Sequence, residues 1–217
     1  MQNPVWLFDL DNTLHDADAG IFDTINRAMT DYMARRLKTD RQTASDLRQH
    51  YWHEYGATLA GLQIHHPETD IAEFLRESHP MPQILSQLTP IAGTENVLRR
   101  LKGRKAVFSN GAAHYVAAVV AQLGIAAQFE KLFGTEDFGL LYKPHPQSFQ
   151  RVCALLETPP EHCIMVDDSA ANLRQAKAQG MKTVWFGKHS HPLPFADGTA
   201  RDMAQLLEWA ETNGLAD

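Results

Sequence analysis

The run Val5-Trp6-Leu7-Phe8-Asp9-Leu10 is apolar except at Asp9, and Asn3-Pro4 and Asn12-Thr13 bound it. Apolarity on both faces over so short a stretch predicts a buried parallel strand. A carboxylate near its C-terminal end departs from that pattern. From about residue 17 to 88 the period changes. Ile21, Phe22, Ile25, Ala28, Met29, Tyr32 and Met33 recur at helical spacing, which predicts an amphipathic helix. Segments 40–55 and 69–78 read as two further helices, and no strand-like run intervenes. The proline-punctuated His79-Pro80-Met81-Pro82 closes this all-helical insertion.

After residue 88 helical and strand-like segments alternate, as in a parallel α/β sheet. Helices are predicted over 94–101, 115–123, 145–156, 170–179 and 201–211, and strands over 105–109, 131–134, 163–166 and 183–186. Gly124 and Gly180 fall where helices stop, and Pro146 falls in a first turn, where proline is tolerated. In an open sheet of this kind, ligands bind beyond the carboxyl ends of the strands. Asp9 and Asp11, Ser109-Asn110, Lys143 in a loop, and Asp167-Asp168 all occupy such positions. Groups far apart in sequence therefore converge on one edge.

Composition changes this picture little. A chain of 217 residues accommodates a core domain carrying a smaller insertion. The net charge of −6 provides no basic face for a nucleic acid polymer, although a metal ion and a lysine or two can reverse the potential locally for a small anion. The two cysteines, Cys153 and Cys163, suggest neither a disulfide framework nor a zinc site and read as reduced thiols in a helix and a strand. No apolar run approaches the ~20 residues that span a bilayer, and no basic leader precedes Val5, so the expectation is a cytoplasmic protein without a membrane partner.

The converging groups suit phosphoryl transfer. Asp9, Asp11 and Asp168 supply hard oxygen ligands of the kind Mg²⁺ takes. Ser109 and the main-chain N–H groups after it, Asn110 included, can donate to phosphoryl oxygens, and Lys143 is a point charge for phosphate and carboxylate alike. Packed carboxylates repel unless a cation neutralises them. Asp9 is placed to attack and form a covalent intermediate. Asp11, two residues on, could protonate the leaving oxygen and then activate water. Taken singly these motifs are weak: Ser-Asn-Gly is an ordinary turn, and Asp-Asp-Ser an ordinary helix cap.

Together they resemble the haloacid dehalogenase superfamily. Asp9-Leu10-Asp11-Asn12-Thr13 is similar to its first motif, Val107-Phe108-Ser109-Asn110-Gly111 to its second, Lys143-Pro144 to its third, and Val166-Asp167-Asp168-Ser169 with Asn172 to its fourth. The resemblance implies Asp9 as nucleophile, Asp11 as acid/base, and Ser109 and Lys143 as a phosphate clamp. It also implies Mg²⁺ held by Asp9, the Asp11 carbonyl and Asp168, with Asp167 and Asn172 beside them. Dehalogenases of the superfamily generally lack the second aspartate, so Asp11 argues for a phosphatase. The insertion resembles the family's mobile cap. Its Tyr51-Trp52-His53-Glu54-Tyr55-Gly56 and Gly61-Leu62, with Lys143-Pro144-His145 and Ser148-Phe149, are similar to pyrimidine 5′-nucleotidases. His15 stands where those relatives usually carry tyrosine.

Other residues read more plainly. His65-His66 and the pair His189 and His191 fit solvated loops, since no zinc pattern surrounds them. His15 either contacts substrate or cap, or packs. Tyr51, Trp52 and Tyr55 either form helix core or stack on a base. Arg35-Arg36 and Arg99-Arg100 read as helix surface, Trp185 and Trp209 as core. The expected molecule is a doubly wound, mainly parallel, Rossmann-like α/β core (1–16 and 89–217) with a helical cap (17–88). Its expected activity is Mg²⁺-dependent hydrolysis of a small phosphorylated metabolite, with UMP or CMP favoured and phosphoglycolate or a sugar phosphate as the alternative. A non-catalytic ligand sensor is the rival of another class.

Overall fold

The computed structural model describes residues 4–187 and 192–217; His189 and His191 lie outside them. The chain divides into two compact units, 1–16 with 89–217, and 17–88.

The first unit is built on six parallel strands in the order β3-β2-β1-β4-β5-β6: β1 (Val5–Phe8), β2 (Arg104–Phe108), β3 (Lys131–Phe133), β4 (Cys163–Asp167), β5 (Lys182–Phe186) and β6 (Gly198–Ala200). Helices cover both faces, which explains the near-continuous apolarity of β1. Val5 and Leu7 join Phe108, Phe149, Val152 and Met165 in a core on one face. Trp6 and Phe8 stack on each other at 6.0 Å, with Trp209 set edge-on to Trp6 at 6.3 Å. Cys153 and Cys163 are buried and free.

β1 pairs with β2 on one side and β4 on the other, with Phe8 opposite both Val107 and Val166. The strand order reverses at β1, so the crevice beyond β1 and β4 is the point where a parallel sheet receives ligands. The sequence reading missed β6, three residues that owe their strand conformation to pairing with β5. Trp185 and Trp209 are half-buried rather than core. Each uses its indole N–H at the margin, donating to the carbonyls of Asp168 and Asp197 at 3.3 Å.

The second unit holds α1 (Ile21–Arg36), α2 (Arg41–Tyr55), α3 (Thr58–His65), α4 (Ile71–Ser78) and α5 (Met81–Ser86). The Asp40 and Asp70 side chains cap α2 and α4 by accepting from Thr43 and Glu73 N–H at 3.0 Å. α1 packs against α2, α4 and α5, and α3 against α2. Two features correct the sequence reading. Pro80 and Pro82 open α5 instead of closing the region, because a helix's first turn needs no N–H from proline. His65 and His66 are not loop residues adrift in solvent. His65 stacks on Tyr51 at 5.3 Å and pairs with the Tyr55 hydroxyl at 2.7 Å, and His66 meets the Tyr51 hydroxyl at 3.1 Å. This aromatic cluster closes because residue 61 is glycine: a Cβ there would come within 2.2 Å of the Tyr51 ring. Tyr51 is core, Tyr55 half-buried, and Trp52 is 56% exposed.

In the first unit the remaining helices are α6 (Thr94–Arg100), α7 (Ala113–Gln122), α8 (Pro146–Leu155), α9 (Ala170–Ala178) and α10 (Met203–Thr212). Arg35, Arg36, Arg99 and Arg100 are at the surface, where Arg99 and Arg100 meet Glu95 and Glu211.

Candidate active site

Asp9 is the first residue after β1, and its N–H donates to Val166 of β4 at 2.9 Å. That bond carries the strand pairing one residue further and brings Asp9 beside the carboxyl end of β4. Asp167, the last residue of β4, is fully buried there. Between them lies the buried ammonium of Lys143, 2.7 Å from Asp9 Oδ1 and 2.8 Å from Asp167 Oδ2, with its Nζ 5.0 Å from the centre of the Phe108 ring. Asp9 Oδ2 accepts no hydrogen bond among the described residues.

The loop carrying Lys143 is tied in place by Asn110. Its side-chain Oδ1 accepts from Lys143 N–H at 2.7 Å, and its side-chain amide Nδ2 donates to the Lys143 carbonyl at 2.9 Å. The Asn110 side chain is thus spent on main chain, which leaves its own N–H as the group that could meet a phosphoryl oxygen. Ser109 is the first residue after β2, is fully buried, and its hydroxyl accepts from Gly111 N–H at 2.9 Å. Asp167 Oδ1 accepts from Ser169 N–H at 2.8 Å, and Asn172 donates to both Asp167 oxygens at 3.1 Å. Asn172 and Lys143 therefore hold Asp167 from two sides. Tyr55 lies in the helical unit.

Asp9, Asp167 and Asp168 each present an oxygen within 4.8 Å of the others. Three carboxylates against one lysine leave an excess of negative charge, and hard oxygens at this spacing fit a divalent cation such as Mg²⁺. Asp167 already accepts four hydrogen bonds, so Asp9 and Asp168 are the freer donors. The Asp11 carboxylate lies outside the group. Through Oδ1 it accepts from the Tyr115 hydroxyl at 2.5 Å and faces His15 Nε2 at 3.0 Å.

Burial pushes the Asp9 carboxyl well above its usual range. Lys143 pulls it back, and Asp167, Asp168 and Asp11 push with burial. For Lys143 itself, burial opposes the charge, but Asp167 and Asp9 outweigh it and hold the ammonium above the ordinary lysine range. Burial and then Asp167 raise Asp168 from 3.8 to about 6, against Lys143 and a hydrogen bond with Asn12. Burial and then the Asp11 charge raise the Tyr115 phenol well above its ordinary value, so it stays a donor.

A carboxyl whose folded pKa is raised contributes stability that is full below its unfolded pKa and lost as the pH climbs through the folded one. For Asp168 the window runs from 3.8 to about 6. In chelator, wild type should therefore lose stability relative to Asp168→Asn as the pH rises from about 4 to 7. Thermal melts of both proteins across that range check this, and a difference that stays flat with pH would contradict it.

Sequence reasoning missed Tyr115, Asn12 and Trp185 as neighbours of the acidic residues. Asn12 carried a usable signal. It occupies the left-handed region at φ 59°, which asparagine tolerates better than most residues, and so makes the turn that sends the chain back after Asp11.

The model of the haloacid dehalogenase-like hydrolases matches residues 5–180, a span that includes every residue of the cluster. The chain belongs to that family. Among relatives of this haloacid dehalogenase-like hydrolase is a glyceraldehyde 3-phosphate phosphatase of Pyrococcus furiosus, 26% identical over 98% of this chain and 95% of that one. A phosphoglycolate phosphatase of Colwellia psychrerythraea is 27% identical over 84% of each. Haloacid dehalogenases are also among the relatives. The crystal structure of a HAD phosphatase from Thermococcus onnurineus matches with a TM-score of 0.67 and 19% identity, covering 100% of this chain and 99% of that one; at that identity the likeness speaks for the fold. No helix among the described residues is long and apolar enough to cross a membrane.

Proposed function

We propose that this hydrolase is a Mg²⁺-dependent phosphatase of small phosphomonoesters that works through an aspartyl-phosphate on Asp9. The observation that carries the reading is the state of Asp9. It is buried, with one oxygen fixed by Lys143 and the other free of hydrogen bonds among the described residues, inside a carboxylate cluster that calls for a cation. Asp9 Oδ2 forms a bond to phosphorus as the bond to the ester oxygen breaks, and Asp11 gives that oxygen its proton. Asp11 then takes a proton from the water that attacks the aspartyl-phosphate at phosphorus, which releases phosphate and restores Asp9. Ser109, the N–H of Asn110 and Lys143 bind the phosphoryl oxygens. Asp9, Asp168 and the Asp11 carbonyl would hold Mg²⁺, which neutralises charge on the phosphoryl group when bound. The presence of Asp11 favours phosphate esters over carbon–halogen substrates.

We read residues 17–88 as the cap, carrying the substrate selectivity. A nucleoside 5′-monophosphate, UMP or CMP, remains the finer reading. It rests on the resemblance around Tyr51–Gly56 and on Trp52, an exposed aromatic face of the kind on which a base stacks. The two phosphatase relatives favour the alternative, phosphoglycolate or a sugar phosphate.

Phosphate release from a panel of nucleotides, phosphoglycolate and sugar phosphates, with Mg²⁺ and with chelator, tests both levels. Mg²⁺-dependent release led by UMP and CMP is the expected result. Release led by another ester would discard the nucleotide and keep the chemistry. No release from any ester would favour a ligand sensor that kept the fold without turnover.

A further inference from the structure

We infer that His15 and Tyr115 are positioning residues that fix the Asp11 carboxylate for proton transfer to the leaving oxygen. The inference rests on the reading of Asp11 as acid/base given above.

After β1 the chain turns tightly, with Leu14 N–H on the Leu10 carbonyl at 2.9 Å. The turn brings residue 15 back alongside Asp11, and the His15 main chain bridges to both Asp11 and Pro90. The His15 ring is wholly buried. Its Nε2 lies 3.0 Å from Asp11 Oδ1. The Tyr115 hydroxyl donates to the same oxygen at 2.5 Å and lies 3.3 Å from His15 Nε2. Two groups thus converge on Oδ1, while Oδ2 accepts no hydrogen bond among the described residues. A carboxylate turns freely about its last torsion. Anchoring one oxygen twice removes that freedom and presents the other oxygen for chemistry.

Two further observations set this apart from ordinary packing. The second ring nitrogen, His15 Nδ1, is buried and has no hydrogen-bond partner among the described residues. A leucine would fill the same space without stranding a polar atom, so the contact between Nε2 and Asp11 is what an imidazole offers here. Tyr115 reaches Asp11 past a residue without a side chain, since a Cβ on Gly111 would come within 2.7 Å of the Tyr115 ring and 3.2 Å of Ser109 Oγ.

The test uses leaving groups. An aryl ester such as p-nitrophenyl phosphate expels a stable phenolate and needs little protonation, whereas an alkyl ester needs the acid. The quantity to compare is kcat/KM, which reports the steps up to ester cleavage and leaves out hydrolysis of the phosphoenzyme. Tyr115→Phe and His15→Leu are expected to lower kcat/KM about 10- to 100-fold for the best alkyl phosphate of the panel, and much less for p-nitrophenyl phosphate. His15→Gln, which can return an N–H near the Nε2 position, is expected to recover most of the loss. Asp11→Asn is the reference and should show the same split more strongly. Equal losses on both esters in Tyr115→Phe and His15→Gln, with the split intact in Asp11→Asn, would overturn the positioning role and leave the acid/base reading standing. No split in Asp11→Asn would overturn both. Tyr115→Phe removes a single oxygen and keeps the ring, so it remains informative if His15→Leu fails to fold.

Discussion

Replacing Lys143 with methionine is expected to lower the unfolding free energy by about 3–5 kcal/mol at neutral pH in chelator. Methionine keeps most of the stem, so packing changes little and the loss is electrostatic. The Lys143 ammonium is buried between Asp9 Oδ1 and Asp167 Oδ2, at 2.7 and 2.8 Å. Without it, two buried carboxylates face each other with no cation, and removal of one partner from a buried pair costs more than the pair itself contributes. Lys143 is also the group that pulls the Asp9 carboxyl down against burial and its acidic neighbours. In the variant the Asp9 carboxyl rises further. The stability deficit should accordingly shrink as the pH falls, because protonated Asp9 no longer needs a counter-charge, and it should shrink on addition of Mg²⁺. Denaturant titrations at several pH values, with and without Mg²⁺, measure this. A deficit under about 1 kcal/mol, of the size expected for an exposed pair, would contradict the account, as would one independent of pH.

Much of this arrangement could be read from the chain because parallel strands buried on both faces leave few places for a charge. Asp9, Ser109 and Asp167-Asp168 stood out as polar residues where apolar runs end, and register pairing brings Asp9 and Asp167 together at the reversal of strand order. What escaped were features decided by neighbours. α3 carries apolar residues on several sides, with Leu59 and Leu62 buried and Ile64 exposed, so no clean amphipathic period marks it. β6 is three residues whose strand state exists only beside β5. Tyr115 fell into the apolar rhythm of α7 with Val116, Val119 and Val120, which reads as core. Its ring is core, and only its hydroxyl serves Asp11. The contact between His15 and Asp11 depends on a turn rather than a helix, so their separation of four residues carried no helical signal. The pairing of the Asn110 side chain with the Lys143 main chain likewise needs the fold.

The second large effect is at Asp9. Asparagine preserves the shape of the side chain and still offers an oxygen to Lys143, so the Asp9→Asn protein is expected to fold. Its free oxygen is replaced by an amide nitrogen that cannot attack phosphorus. Turnover should fall by roughly 10⁴-fold or more, the scale seen when a covalent nucleophile is lost. A loss below about tenfold would mean that water attacks the ester directly and that Asp9 serves the metal and Lys143 alone.

Covalent attack is the centre of the account, and trapping the intermediate tests it most directly. Wild type and Asp9→Asn are mixed with Mg²⁺ and the best ester of the panel, quenched in acid during turnover, digested and weighed by mass spectrometry. The account expects a phosphoryl group on the wild-type peptide that contains Asp9 and none on the Asp9→Asn peptide. A phosphoryl group on another residue, or no phosphorylated peptide from a wild-type enzyme quenched in full turnover under conditions that trap an acyl phosphate, would contradict it.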